Sequence, residues 1–220
     1  MSPSQKPLSE VLTLANALIF RITHRDNVPH ILTHGIHCQS SDVVNPAFVP
    51  IGSTDIIGKR ASRTVDVAPG GLLVNYVPFY FTPCTPMLYN IVTGRNGVVQ
   101  RARAEVVVLV SSFDEVERLG IQMVVADRNA TLMSATMKSG RALLEDLPWD
   151  AWRGRNFRRD QNDPEPFERY QAEALVHRLL PPAGLLSIIT HDAATQATVA
   201  QAVSEAGLTI PTHVRSHWYP

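Results

Sequence analysis

Gln171 and Glu173 stand two residues apart and run directly into an apolar segment, Ala174-Leu175-Val176. On a strand their side chains would share one face. A carboxylate beside an amide suits holding a ribose hydroxyl and stabilising positive charge on a sugar. Phe167, Tyr170, Ala174 and Arg178 also fit a period near 3.6, so a helix is the competing reading. Lys59, Arg60 and Arg63 form a basic cluster. It reads either as a solvated helix face or as a planar fork for a pyrophosphate. Tyr76, Phe79, Tyr80 and Phe81 alternate along a β-prone run. Phe79 and Phe81 read as core, while Tyr76 or Tyr80, with Met87 beside it, could stack on a flat ring.

Two further clusters carry weaker chemistry. His24, His30, His34 and His37 include an i, i+4 pair. HExxH and paired CxxC are both lacking, so scattered histidines are favoured over zinc. His24 differs, because it ends a strand where a donor can reach a ligand. Trp149 to Arg159 interleaves Trp149, Trp152 and Phe157 with four arginines, Arg153 and Arg155 among them. Such a mixture suits single-stranded nucleic acid, and equally an amphipathic surface helix. The sequence contains no GxSxG, GxGxxG or P-loop motif.

The elements needed to position these groups are short. A helix in Leu12 to Phe20 leads into a strand, Leu18 to Ile22, that delivers His24. A helix over Val28 to His34, capped by Asp26 or Asn27, closes at Gly35. Gln39 to Pro50 reads as loop and Asp55 to Arg63 as a helical turn. Pro78 argues for a bulge or edge position in the strand after Gly70-Gly71. Pro86 opens a helix; Glu105 to Val110 and Ile121 to Ala126 read as strands, and Ser112 to Glu115 is a capping box. Met133 to Leu147 could hold a helix. Leu185 to Thr190 is a strand, Asp192 caps a helix running to Ala206, and a last strand lies around His213 to Arg215. Helices and strands follow no βαβ rhythm, which predicts an α+β fold.

Composition bounds the answer. At 220 residues the chain fits one domain with a loose start over 1–10. Net charge is zero, so any nucleic-acid contact must come from a local patch. Two cysteines are too few for a disulfide framework, and the N-terminus lacks a signal-peptide plan. No run reaches the length of a membrane span. A cytoplasmic protein is expected.

Four stretches together resemble the DarT toxins: Arg21 to Ile36, Tyr76 to Tyr89, Gln171 to Val176 and Trp218-Tyr219. The likeness runs in order from about residue 15 to the end. It implies an ADP-ribosyltransferase-like fold, with a split, mostly antiparallel sheet, flanking helices and a long substrate loop. It also implies NAD as co-substrate, no metal, single-stranded DNA as acceptor and a DarG-type macrodomain antitoxin as partner. Thymine is the expected base. Guanine, RNA and protein acceptors stay open, as does a non-catalytic single-strand-binding module.

By the same resemblance, Glu173 is the catalytic glutamate and Arg60 the catalytic arginine, with Arg63 the alternative. His24, Arg25, Asp26, Thr33 and Gln171 join Arg60 around NAD, Tyr80 and Met87 line the nicotinamide pocket, and residues 44–63 close over it. Residues 122–173 form the substrate loop, with Arg128, Asn129, Arg153 and Arg155 meeting DNA. The chain departs from the family pattern at Cys84-Thr85, often Arg-Ser, and at Asn129, where a histidine would also suit a DNA contact.

Overall fold

The computed structural model describes residues 7–155, 162 and 164–220. Its helices are α1 (Leu8–Val11), α2 (Val28–His34), α3 (Thr54–Arg60), α4 (Pro86–Thr93), α5 (Phe113–Arg118), α6 (Trp149–Gly154), α7 (Glu165–Arg169) and α8 (Ala193–Glu205). The strands are β1 (Leu18–His24), β2 (Ile36–His37), β3 (Tyr76–Tyr80), β4 (Val106–Ser112), β5 (Met123–Ala126), β6 (Met137–Ser139), β7 (Glu173–His177), β8 (Leu179–Leu180), β9 (Ser187–Thr190) and β10 (Thr212–Val214). Eight of them make one sheet in the order β10-β9-β4-β1-β3-β7-β5-β6, antiparallel throughout except for β10 beside β9. The α+β expectation holds. Among the described residues no helix is long and apolar enough to cross a membrane.

The sheet is split at its middle. β1 pairs with β4 along seven residues but with β3 only at Phe20 and Tyr80. β3 is therefore internal, contrary to the edge or bulge expected from Pro78. The proline is tolerated because no continuous ladder is asked of β3 on the β1 side. Arg21 bridges the gap, donating from Nη1 to the Pro78 carbonyl at 2.8 Å.

Alternation along the strands sorts the two faces. Phe79 and Phe81 are fully buried in the main core, as expected. On the opposite face Tyr76, Leu175, Val124 and Ala126 join Val65, Leu73 and Ala130 in a smaller cluster. Burying Tyr76 there leaves its hydroxyl donating to Gly70 O at 2.6 Å, so Tyr76 is a wall element rather than an open stacking platform.

Local chemistry explains most boundaries. Ser112, Asp192 and Thr85 accept from backbone N–H groups and start α5, α8 and α4. Gly35 ends α2 at φ +85, where a Cβ would lie 2.6 Å from the Leu180 carbonyl oxygen, so only glycine fits. Asn27 does not cap α2 with its side chain; it is used otherwise, as described below.

Four expectations are corrected. The first helix lies at Leu8–Val11, ahead of the expected stretch. Met133 to Leu147 holds no helix: Asp127 exchanges hydrogen bonds with Thr136 and turns the chain back, so Met137–Ser139 adds β6 beside β5. Residues 122–173 are consequently not a bare loop, for they carry β5, β6, α6 and α7. Trp149 and Trp152 do not present themselves to bases. Trp152 is fully buried and stacks on Phe81, with Trp149 edge-on to both. Their apolar area outweighs any surface role, since deleting such a ring costs about 3–5 kcal/mol. Phe157, Arg158 and Arg159 lie outside the described residues.

Candidate active site

Glu173 is the first residue of β7 and Tyr80 the last of β3, and the two are paired in register. Cross-strand partners point to one face. Of the two readings of Gln171 to Val176, the strand is the one adopted from Glu173 onward; Gln171 sits in the turn before it, half-buried. Phe167 belongs to α7 and Tyr170 caps it, which accounts for the 3.6 periodicity just upstream.

Arg60, the last residue of α3, reaches this face. Its Nη1 donates to Glu173 Oε2 at 3.1 Å, and its Nη2 approaches the Leu73 carbonyl at 3.5 Å. Arg60 is 7% exposed and Glu173 2%. Burial raises the Glu173 pKa above the ordinary carboxylate value, while Arg60, the backbone amide of Ala130 and Arg21 oppose that rise. Arg63 points elsewhere, donating to the Ala130 and Leu132 carbonyls and to Met133 Sδ. Between the two arginines left open by sequence, Arg60 is the one that meets the carboxylate.

Tyr80 donates its hydroxyl to Met87 Sδ at 3.3 Å, so these two expected wall residues do adjoin. Burial, then the Glu173 charge, pushes the Tyr80 pKa well up and keeps the phenol neutral. Arg21 was not foreseen. It shares a face of β1 with Thr23, and burial first, then the neighbouring Arg60 charge, lowers its pKa to about 10. The available signal was one charge inside the run Leu18-Ile19-Phe20-Arg21-Ile22.

A cavity of about 460 Å³ opens beside this centre, with Arg21, Thr23, Arg60 and Pro78 on its inner side and Val43, Val44, Phe48 and Ile57 on its outer wall. Asn27, also missed, secures that wall. Its Nδ2 donates to Val49 O at 2.9 Å and its Oδ1 accepts from Val49 N at 2.8 Å. A third bond, from Nδ2 to Thr23 Oγ1, fixes the amide.

Several expected residues lie apart from this centre. His24 is buried, its Nδ1 accepting from the Asp26 amide and its Nε2 facing Glu105 at 3.5 Å; it caps a turn and does not line the cavity. Arg25 and Asp26 are exposed and adjoin each other. Thr33 is exposed, with its hydroxyl on the Pro29 carbonyl. The His30 and His34 rings lie 4.4 Å apart, tilted by 38°, and no group of described residues is arranged to hold a metal.

Arg128 has its guanidinium filled by Glu168 at 2.8 Å, Glu165 at 3.0 Å and Asp127 at 3.1 Å. Those carboxylates raise its pKa and make it a clasp between β5 and α7. Asn129 turns its Oδ1 onto the Thr131 amide and hydroxyl. Arg153 donates to Leu12 O and pairs with Asp150, whereas Arg155 is exposed at the end of α6.

The arrangement is an acid, a guanidinium and a phenol grouped at the ends of β3, β7 and α3, with the guanidinium of Arg60 also lining the cavity. Residues 20–220 match the family described as "ssDNA thymidine ADP-ribosyltransferase, DarT". A DNA ADP-ribosyl transferase of Escherichia coli O127:H6 is 41% identical over 211 residues, covering 96% of this chain and 97% of that one. The structure of Thermus sp. 2.9 DarT in complex with ADP-ribosylated ssDNA superposes with a TM-score of 0.83 at 28% identity, covering 94% of this chain and 97% of that one. The same Thermus protein in complex with NAD+ gives 0.81 at 27%, covering 93% and 98%. With the family model matching residues 20–220 and a relative 41% identical over 96% of its length, the chain belongs to the DarT family.

Proposed function

We propose that this protein transfers ADP-ribose from NAD to a base of single-stranded DNA, thymine being the base. We read it as a cytoplasmic toxin held in check by a DarG-type macrodomain partner. The observation that carries the enzymatic reading is the buried Arg60–Glu173 pair at 3.1 Å, with Tyr80 opposite the acid in register. The thymine assignment rests on the family description, the antitoxin on the sequence resemblance. The free thiols of Cys38 and Cys84 agree with a reducing compartment.

NAD fits the residues present. Val44, Phe48 and Ile57 are exposed apolar side chains that line the cavity wall and suit a flat ring. Arg21 and Arg60 bring two guanidinium charges to a centre with one carboxylate, and that excess suits a diphosphate. NAD supplies a ribosyl carbon with nicotinamide as its leaving group. Glu173, ionised, accepts a hydrogen bond from a ribose hydroxyl and stabilises the positive charge that grows on the sugar. Arg60 holds the acid in place and favours the anionic form of the attacking ring nitrogen; being already protonated, it has no site to take the proton itself. The new bond runs from that nitrogen to the ribosyl carbon as the bond to nicotinamide breaks, and the nitrogen's proton passes to solvent.

The test is incubation with NAD and single-stranded oligonucleotides of mixed sequence, followed by mass spectrometry. One added ADP-ribose per thymine-containing strand is expected. No mass gain on any DNA strand, with gain on RNA or protein instead, would overturn the DNA reading.

A further inference from the structure

Glu173 pairs in register with Ala126, the last residue of β5. Cross-strand partners share a face, so the chain leaving β5 starts beside the carboxylate. The Asp127 amide donates to Thr136 O at 3.1 Å, and the Thr136 amide donates to Asp127 Oδ1 at 2.9 Å, which closes residues 127–136 into a loop. Within it Ala130 is fully buried and packs with Ala126 and Leu175, on the face of β7 that carries Glu173. From there the Ala130 backbone amide hydrogen-bonds the acid and favours its ionised form.

Asn129 sets the direction of that amide. It is 7% exposed. Its Oδ1 accepts from the Thr131 amide at 3.0 Å and from the Thr131 hydroxyl at 2.6 Å. Its backbone carbonyl accepts from the Leu132 amide at 3.0 Å. A side chain that bonds the backbone two residues on reproduces a turn. The Asn129 carbonyl and the Ala130 N–H belong to one planar trans peptide, so they point in opposite directions. With the carbonyl turned onto Leu132, the N–H is left facing out of the turn, toward Glu173. Arg63 adds contacts only to the Ala130 and Leu132 carbonyls, each at 3.4 Å.

We propose that Asn129 is a positioning residue for the transfer: by fixing the turn over residues 129–132 it keeps the Ala130 amide on Glu173. The inference rests on the reading of Glu173 as the acid that stabilises the sugar cation. An amide held in place favours the charged carboxylate and needs no reorganisation as the reaction proceeds. The acid is thus braced by Arg60 from α3 and by a backbone donor from the loop after β5. Asn129 acts through that donor and touches neither NAD nor DNA.

The experiment uses the full chain, NAD and a thymine-containing single strand, with rates measured across pH. Asn129→Ala should lower kcat roughly three- to tenfold, the scale of one hydrogen bond. The KM values for NAD and for the strand should stay near wild type. The midpoint of the rate–pH curve should move up by about half to one pH unit, because a loosened amide no longer favours the anion. Asn129→Ser keeps a short neutral acceptor for the Thr131 amide and should recover part of both effects. Thr131→Val removes only the hydroxyl donor and should move the midpoint up by less. Thermal denaturation checks folding, and the two milder variants decide the matter should the alanine variant not fold. A wild-type midpoint in every folded variant would overturn the positioning role. So would a raised KM for the strand at unchanged kcat and midpoint, the pattern of a residue that touches DNA. Either result leaves Glu173 in its place, whereas wild-type rates in Glu173→Gln would overturn the reading beneath the inference.

Discussion

Tyr80 and Glu173 face each other across the β3–β7 ladder, and Arg60 reaches the acid from a helix that neither strand adjoins in sequence. This pairing makes the acid's position a property of sheet register. A one-residue slip of β7 would turn Glu173 to the main core and Ala174 to the cleft. Glu173→Gln preserves the shape and removes the charge. It should lower DNA modification at least about 10²-fold, the scale of losing an electrostatic stabiliser, while circular dichroism stays unchanged. Wild-type rates in this variant would remove Glu173 from the chemistry.

The Glu173 pKa is raised, principally by burial. A carboxylate that must be ionised to act then gains its charge only at higher pH. The rate should climb with pH and level off beyond a midpoint above the usual value of about 4.3. For stability the sign is opposite. The folded state holds this proton more tightly than the unfolded chain, so the acid's contribution is complete below the unfolded pKa and is lost as pH rises through the folded one. A rate midpoint at or below the usual carboxylate value would contradict the assignment.

Removing Arg60 strands a buried acid. Arg60→Ala should cost about 3–5 kcal/mol in urea denaturation as well as activity, with Arg60→Lys retaining part of the stability but losing the planar fork. An Arg63→Ala variant acts differently, because Arg63 only ties the 130–133 segment to the residues after α3. It should leave Glu173 chemistry largely in place. Equal rate losses in Arg60→Ala and Arg63→Ala would count against this division.

Arg128 offers a sharp test of position against contact. With three carboxylates on its guanidinium, Arg128→Ala should lower stability and rate while leaving the salt dependence of DNA binding unchanged. A phosphate-contacting arginine would instead flatten the slope by roughly one unit. Binding titrations across a salt series decide between them.

Asn27→Ala removes both bonds that hold Val49. The outer wall of the cavity should loosen, raising the KM for NAD more than it lowers kcat. Steady-state kinetics with NAD varied would reveal it, and an unchanged KM would show that this wall does not contact NAD.

Glu173 stood out in the chain as an acid beside an apolar strand, Lys59, Arg60 and Arg63 as a basic helix end, Tyr76 and Tyr80 as an aromatic run and Met87 as part of a proline-led helix, while the choice of Arg60 and Tyr80 among these came from the family resemblance. Caps such as Ser112 and Asp192 were legible for the same reason, since a side chain and the N–H groups it satisfies lie within three residues. Arg21, the burial of Trp149 and Trp152, the capping role of His24 and the clasp at Arg128 were not. Each depends on partners far along the chain: Pro78 for Arg21, Phe81 for the tryptophans, Glu105 for His24, Glu165 and Glu168 for Arg128. Sequence by itself determined which groups were available and where short elements begin. Tertiary structure decided which of them meet, because strand register and burial are set by contacts between distant segments.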